Sequence, residues 1–121
     1  MARILAVDDS ASMRQMVKLT LSSAGHEVLQ ATDGQEALDL ASAQPAVDLV
    51  ITDINMPRMD GITLVRELRR LSHYRGIPLL LLTTESSQQK REEGKAAGAT
   101  GWMVKPFSPE RLLAIVAKVV A

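Results

Sequence analysis

The sequence predicts an α/β domain in which a parallel sheet is covered by helices on both faces. Three observations carry that prediction. Short apolar runs alternate with segments of helical spacing five times along the 121 residues. The runs at 4–7, 49–51 and 79–82 are continuous rather than alternating, as in strands buried on both sides. Between elements there are turn residues but no repeat, low-complexity stretch or linker. Right-handed crossovers then leave few topologies.

The elements follow in order. The first strand, 4–7, ends at Asp8-Asp9, and one of these residues or Ser10 is placed to cap the next helix. That helix carries Met13, Met16, Val17, Thr20, Leu21 and Ala24 on one face and stops at Gly25. After the strand at 28–31, Asp33-Gly34-Gln35-Glu36 has the form of a capping box, leading into Ala37, Leu38 and Ala41 and ending before Pro45. The strand at 49–52 ends at Asp53. Its loop is shaped by Pro57 and Gly61, with Asp60 set to cap a helix striped by Leu64, Val65, Leu68 and Leu71. The fourth strand spans 79–83 and the fifth 102–104, ending at Lys105-Pro106. Ser108-Pro109-Glu110 supplies a cap, a first-turn proline and a first-turn acid for a last helix through Leu112, Leu113, Val116, Val119 and Val120.

The fourth helix stands apart. Residues 85–95 include no large apolar side chain, Gly94 interrupts the segment, and only Ala96 and Ala97 offer a small packing face. A helix with so little to bury is expected to be loosely held, and it is the expected moving part.

Composition narrows the function. Lys+Arg and Asp+Glu number 14 each, so no bulk field recruits nucleic acid or an anionic membrane. Zero cysteines exclude disulfides and thiolate metal sites. The start enters a strand directly, and no apolar stretch reaches the ~20 residues that span a bilayer. The expectation is a soluble, cytoplasmic, single domain over 1–121.

In an open parallel sheet the carboxyl ends of the strands share one rim, where ligands bind. Asp8, Asp9, Asp53 and Lys105 all fall at such ends. Three carboxylates in one crevice repel each other unless a cation or proton intervenes. Magnesium suits such a set, because it takes one or two carboxylates, keeps waters and uses phosphate oxygens for the rest. Asp53 is then the candidate phosphoryl acceptor. Lys105 can pair with it as a compact ammonium, and its bond to Pro106 is a candidate cis peptide. Thr83 and Thr84 serve either as strand formers or as rim hydroxyls. Trp102, the only tryptophan, is either a core or edge-strand residue or an aromatic that swings between positions. His26 and His73 lie far from the rim.

Taken together, these residues resemble the receiver domain of two-component response regulators over essentially the whole chain. The markers are the acidic pair after strand one, Asp53 within Asp-x-Asn-Met-Pro-x-Met-Asp-Gly, Thr83 after strand four, and Lys105-Pro106-Phe107. Val7-Asp8-Asp9-Ser10-x-x-Met13-Arg14 and Ala97-Gly98-Ala99-Thr100-Gly101 look most like the stand-alone chemotaxis, or CheY, type. The resemblance implies a doubly wound, flavodoxin-like five-stranded sheet of order 2-1-3-4-5 with five helices in three layers. It implies Mg2+ held by Asp8, Asp9, Asp53 and the carbonyl of Asn55. It implies phosphorylation of Asp53 by a sensor histidine kinase or acetyl phosphate, with Lys105 and Thr83 on the phosphoryl oxygens. Thr83 and Trp102 would switch the face made by helix four, strand five and helix five, and Asn55 and Glu85 would tune hydrolysis. Trp102 departs from the tyrosine or phenylalanine commoner at that position.

The expected partners are the kinase, a phosphatase, and a protein docking on that face, first among them a flagellar motor switch protein. No DNA or membrane contact is expected. A phosphorelay intermediate or phosphate sink is the alternative. The chain is not expected to be an enzyme beyond its own phosphorylation and dephosphorylation. A true phosphohydrolase typically needs a second carboxylate where Asn55 stands, and a nucleotide binder needs a glycine-rich loop this chain lacks.

Overall fold

The computed structural model describes residues 2–84 and 87–120. The strands are β1 (Arg3–Val7), β2 (Glu27–Ala31), β3 (Leu49–Thr52), β4 (Leu79–Thr83) and β5 (Gly101–Val104). The helices are α1 (Ala11–Ser23), α2 (Gly34–Ala43), α3 (Gly61–Arg70), α4 (Gln88–Ala97) and α5 (Pro109–Val120). All strands are parallel, in the order β2-β1-β3-β4-β5, as the resemblance implies. One short element was not expected, a 3-10 turn at Ser72–Tyr74. It buries the Tyr74 ring and leaves its hydroxyl to accept from the Val47 N–H at 3.4 Å.

The continuous apolar runs divide between two cores because successive strand residues face opposite sides of the sheet. Leu5, Val7, Val50, Leu79 and Leu81 pack with Ala37, Ala41, Leu64, Val65, Leu68 and Ala97 from α2, α3 and α4. Ile4, Ala6, Leu49, Ile51, Leu80, Leu82 and Met103 pack with Val17, Leu21, Leu112 and Val116 from α1 and α5. The sheet is thus the middle of three layers.

Capping follows the sequence with one shift of register. Ser10 caps α1, accepting from the Met13 N–H at 3.3 Å, and Asp60 caps α3, accepting from the Thr63 N–H at 2.8 Å. Ser108 accepts from the Arg111 N–H at 3.1 Å at the start of α5. Asp33 caps α2 through the Glu36 N–H at 2.9 Å. Glu36, however, accepts from the Thr32 N–H at 2.7 Å, one residue earlier than a closed capping box requires. Ala24 is exposed at the end of α1 rather than on its buried face.

Helix α4 corrects the reading of Gly94. The helix runs unbroken through it, and Gly94 is buried beside Ala97, whereas Ala96 is exposed. A Cβ at Gly94 would come within 2.8 Å of Leu81 Cδ1 and 3.4 Å of Trp102 Cζ3. The glycine is a point of close approach rather than a break.

Candidate functional site

The strand register sets the rim. Val7 pairs with Thr52, Thr52 with Leu81, and Thr83 with Val104. Asp8, Asp53 and Lys105 therefore leave the sheet at neighbouring points, and backbone bonds carry the ladder one residue beyond the strands. The Asp8 N–H donates to Ala31 O at 3.2 Å, Asp53 to Val7 O at 2.9 Å, and Lys105 to Thr83 O at 2.8 Å.

Asp8, Asp9 and Asp53 each offer a carboxylate oxygen within 4.8 Å of the others. Asp8 is buried, Asp53 is half-buried and Asp9 is exposed, a depth gradient running from the sheet to solvent. The Lys105 ammonium lies 2.9 Å from Asp8 Oδ2 and 3.6 Å from Asp53 Oδ2. The Lys105–Pro106 peptide is cis. One ammonium facing three carboxylates leaves an excess of negative charge. Burial pushes the Asp53 carboxyl above its usual range. Lys105 opposes that shift, whereas Asp8 and Asp9 reinforce it. All the donors are hard oxygens, so the site fits a divalent cation such as magnesium better than a softer metal.

The other predicted residues are placed as follows by the fold. Thr83 is fully buried at the end of β4, and Thr84 beyond it is exposed. Asn55 is exposed in the loop after β3. Glu85 lies outside the described residues. The two histidines serve local structure, as expected away from the rim: His26 Nδ1 accepts from the Ala2 N–H at 3.0 Å, and His73 Nε2 lies 2.9 Å from Ala41 O.

The chain is similar to known proteins over most of its length. Residues 4–117 match the family described as the response regulator receiver domain. The chain belongs to that family. It is 40% identical to a chemotaxis protein CheY homolog of Campylobacter jejuni over 111 residues, covering 91% of this chain and 85% of that protein. The high-resolution structure of chemotaxis response regulator CheY4 of Vibrio cholerae superposes with a TM-score of 0.93 at 54% identity, covering 98% of both chains. The receiver domain of the sensor histidine kinase PA1611 from Pseudomonas aeruginosa, a structure with magnesium coordinated in its active-site cleft, superposes with a TM-score of 0.90 at 29% identity, over 98% of this chain and 97% of that one.

Three arginines of this receiver escaped the sequence reading. Arg14 reaches from the first turn of α1 and donates from Nη1 to the Asp8 carbonyl at 2.6 Å, placing a second cation behind the acidic pair. Arg58 pairs with Asp33 across the mouth of the β3–α3 loop. Arg69 on α3 donates to the carbonyls of Gly98, Tyr74 and Ile77, joining α3 to the turn before β5. Burial lowers its pKa, although a guanidinium stays charged. Only Arg14 left a signal, as part of the motif that follows Asp8-Asp9.

Trp102 is half-buried on the edge strand β5 and packs against the α2–α3–α4 core. The Arg91 guanidinium sits 5.7 Å from the centre of its ring, within cation–π range. Among the described residues its indole N–H is buried without a hydrogen-bond partner. Arg91, Lys95, Thr100 and Trp102 line a cavity of about 260 Å3 on this face. None of the described helices is long and apolar enough to cross a membrane.

Proposed function

We propose that this receiver is a magnesium-dependent phosphorylation switch whose acceptor is Asp53. The observation that supports it most is the position of that carboxylate. It is half-buried, pushed toward protonation by its surroundings, and held between Asp8, Asp9 and the Lys105 ammonium. In the transfer an Asp53 oxygen attacks phosphorus, and the bond to the donor's histidine nitrogen, or to acetate, breaks. The leaving group departs with the electron pair, and the phosphoryl group ends as an acyl phosphate. Asp8, Asp9, Asp53 and the Asn55 carbonyl would hold magnesium, which when bound neutralises charge on the phosphoryl oxygens. Lys105 and Thr83 then bind those oxygens. The chemistry ends on the protein itself, so the product is a signal rather than a released molecule.

The signal leaves through α4, β5 and α5. Arg91 and Lys95 beside the Trp102 ring make this face suited to a protein partner that brings acidic and apolar groups together. Similarity to chemotaxis CheY proteins supports a cytoplasmic role in chemotaxis, with a sensor histidine kinase as donor and a flagellar motor switch protein as receiver of the signal. The deciding experiment is native intact mass after incubation with acetyl phosphate and magnesium. A single phosphoryl adduct that needs magnesium and is lost in Asp53→Asn is expected. No adduct on the wild-type chain refutes the reading.

A further inference from the structure

We propose that Arg58 is a positioning residue for this site: its ion pair with Asp33 fixes the β3–α3 loop and thereby the Asn55 backbone beside Asp53. This rests on the function proposed above and adds to it a residue outside the rim.

The loop closes at its neck, where the Gly61 N–H donates to Ile54 O at 2.8 Å. Between these points Arg58 has φ +66°, a left-handed conformation that disfavours any residue with a Cβ. Its peptide neighbours form a tight turn, with the Met59 N–H donating to Pro57 O at 2.7 Å. A strained residue persists only where the surroundings hold it. Here the guanidinium forks onto Asp33, Nε to Oδ2 at 2.9 Å and Nη2 to Oδ1 at 3.2 Å. Asp33 is an anchor and not a floating partner. It is buried, and Oδ1 also accepts from the Glu36 N–H in the first turn of α2. Directly beneath, Gly34 lies so close to Met59 that a Cβ there would stand 2.8 Å from the Met59 Cβ. The loop that carries Asn55 is thus pinned by its neck, by that contact and by the Arg58 fork.

Arg58 is itself largely exposed, at 62%. The guanidinium end of the pair is solvated and the buried Asp33 keeps the Glu36 N–H, so the effect of losing the pair should appear mainly at the site and not in unfolding. Arg58→Gly separates the two, because glycine adopts this φ freely while removing the tether. Magnesium chloride titrations followed by amide NMR test it, with thermal unfolding alongside. Arg58→Gly is expected to weaken magnesium binding about tenfold, with an unchanged or raised midpoint of unfolding, and Arg58→Lys to recover part of the loss. Asp33→Asn keeps a cap oxygen but loses the charge. It should match Arg58→Gly, and the double variant should lose no more than either single. Magnesium affinity of Arg58→Gly within about twofold of wild type overturns the tether, as do additive losses in the double variant. Wild-type protein that binds no magnesium overturns the tether and the proposed function together. Magnesium binding without phosphoryl uptake removes the function alone and leaves the tether standing on its affinities.

Discussion

Gly61 offers a quantitative test of how tightly the acceptor loop is built. A methyl group there would overlap the carbonyl oxygen of Asp53, stand 2.9 Å from its carbonyl carbon and 3.0 Å from the Ile54 Cα. These are backbone atoms, which cannot rotate away as a side-chain end can. Either α3 or Asp53 must therefore move, and α3 is held by the buried Ile62, Leu64, Val65 and Leu68. The shift strains the Gly61 N–H to Ile54 O bond of 2.8 Å, worth about 1 kcal/mol. Overpacking adds about 1–3 kcal/mol. Set against this is about 0.4–1 kcal/mol from the reduced freedom of the unfolded chain. Gly61→Ala should thus lose about 1–4 kcal/mol in urea unfolding followed by circular dichroism, and should bind magnesium more weakly because Asp53 is displaced. Gly76→Ala is the control. Nothing lies within 4 Å of a Cβ there, so it should be neutral or stabilising by up to about 1 kcal/mol. A Gly61→Ala protein within about 0.5 kcal/mol of wild type, with the same slope against urea, refutes the reasoning.

Two further outcomes follow from the same geometry. With the Asp53 pKa raised in the folded state, ionising that group costs stability above its unfolded value and costs nothing below it. Without magnesium, Asp53→Asn should therefore be more stable than wild type at pH 7, with the gain shrinking as pH falls through the raised folded-state pKa and gone below about 4. A constant difference between the two across acid unfolding curves contradicts the sign. Gly94→Ala brings two opposing effects into balance. Helix propensity gains about 1 kcal/mol, whereas a methyl 2.8 Å from Leu81 Cδ1 and 3.4 Å from the Trp102 ring costs about 1–3 kcal/mol. A net loss of about 1 kcal/mol is expected in urea unfolding, together with a changed Trp102 emission spectrum, and a stabilised variant with unchanged emission contradicts it.

The layers and the rim were legible because parallel topology does the converging. Asp8, Asp53 and Lys105 are each the first residue past a strand expected from the sequence. Once the runs are strands of one sheet, those residues meet whatever the loops do. The arginines left no comparable mark. The Arg58 partner is 25 positions away, and a lone arginine in a loop reads as solvated charge. The Arg69 acceptors are main-chain carbonyls of Gly98, Tyr74 and Ile77, groups that every residue owns, so no side-chain pattern announces them. Tyr74 was hidden for a related reason, because its burial depends on a single 3-10 turn with no periodicity to detect.

Helix α4 shows where counting apolar side chains goes astray. Its sequence promises almost nothing to bury, and among its described residues only Gly94 and Ala97 are buried. The apolar surface comes instead from below. Absence of a side chain at Gly94 lets the Trp102 ring of β5 and Leu81 of β4 approach the helix backbone. Arg91, one turn earlier on the same helix face, covers the ring from outside. The attachment of α4 to the sheet thus relies on an aromatic group that belongs to a different element. Any event on the rim that repositions Trp102 must loosen or re-seat α4 at the same time, so helix and strand respond as one surface. That coupling follows from a glycine opposite a tryptophan, and it lies at the end of the domain where the docking face is proposed.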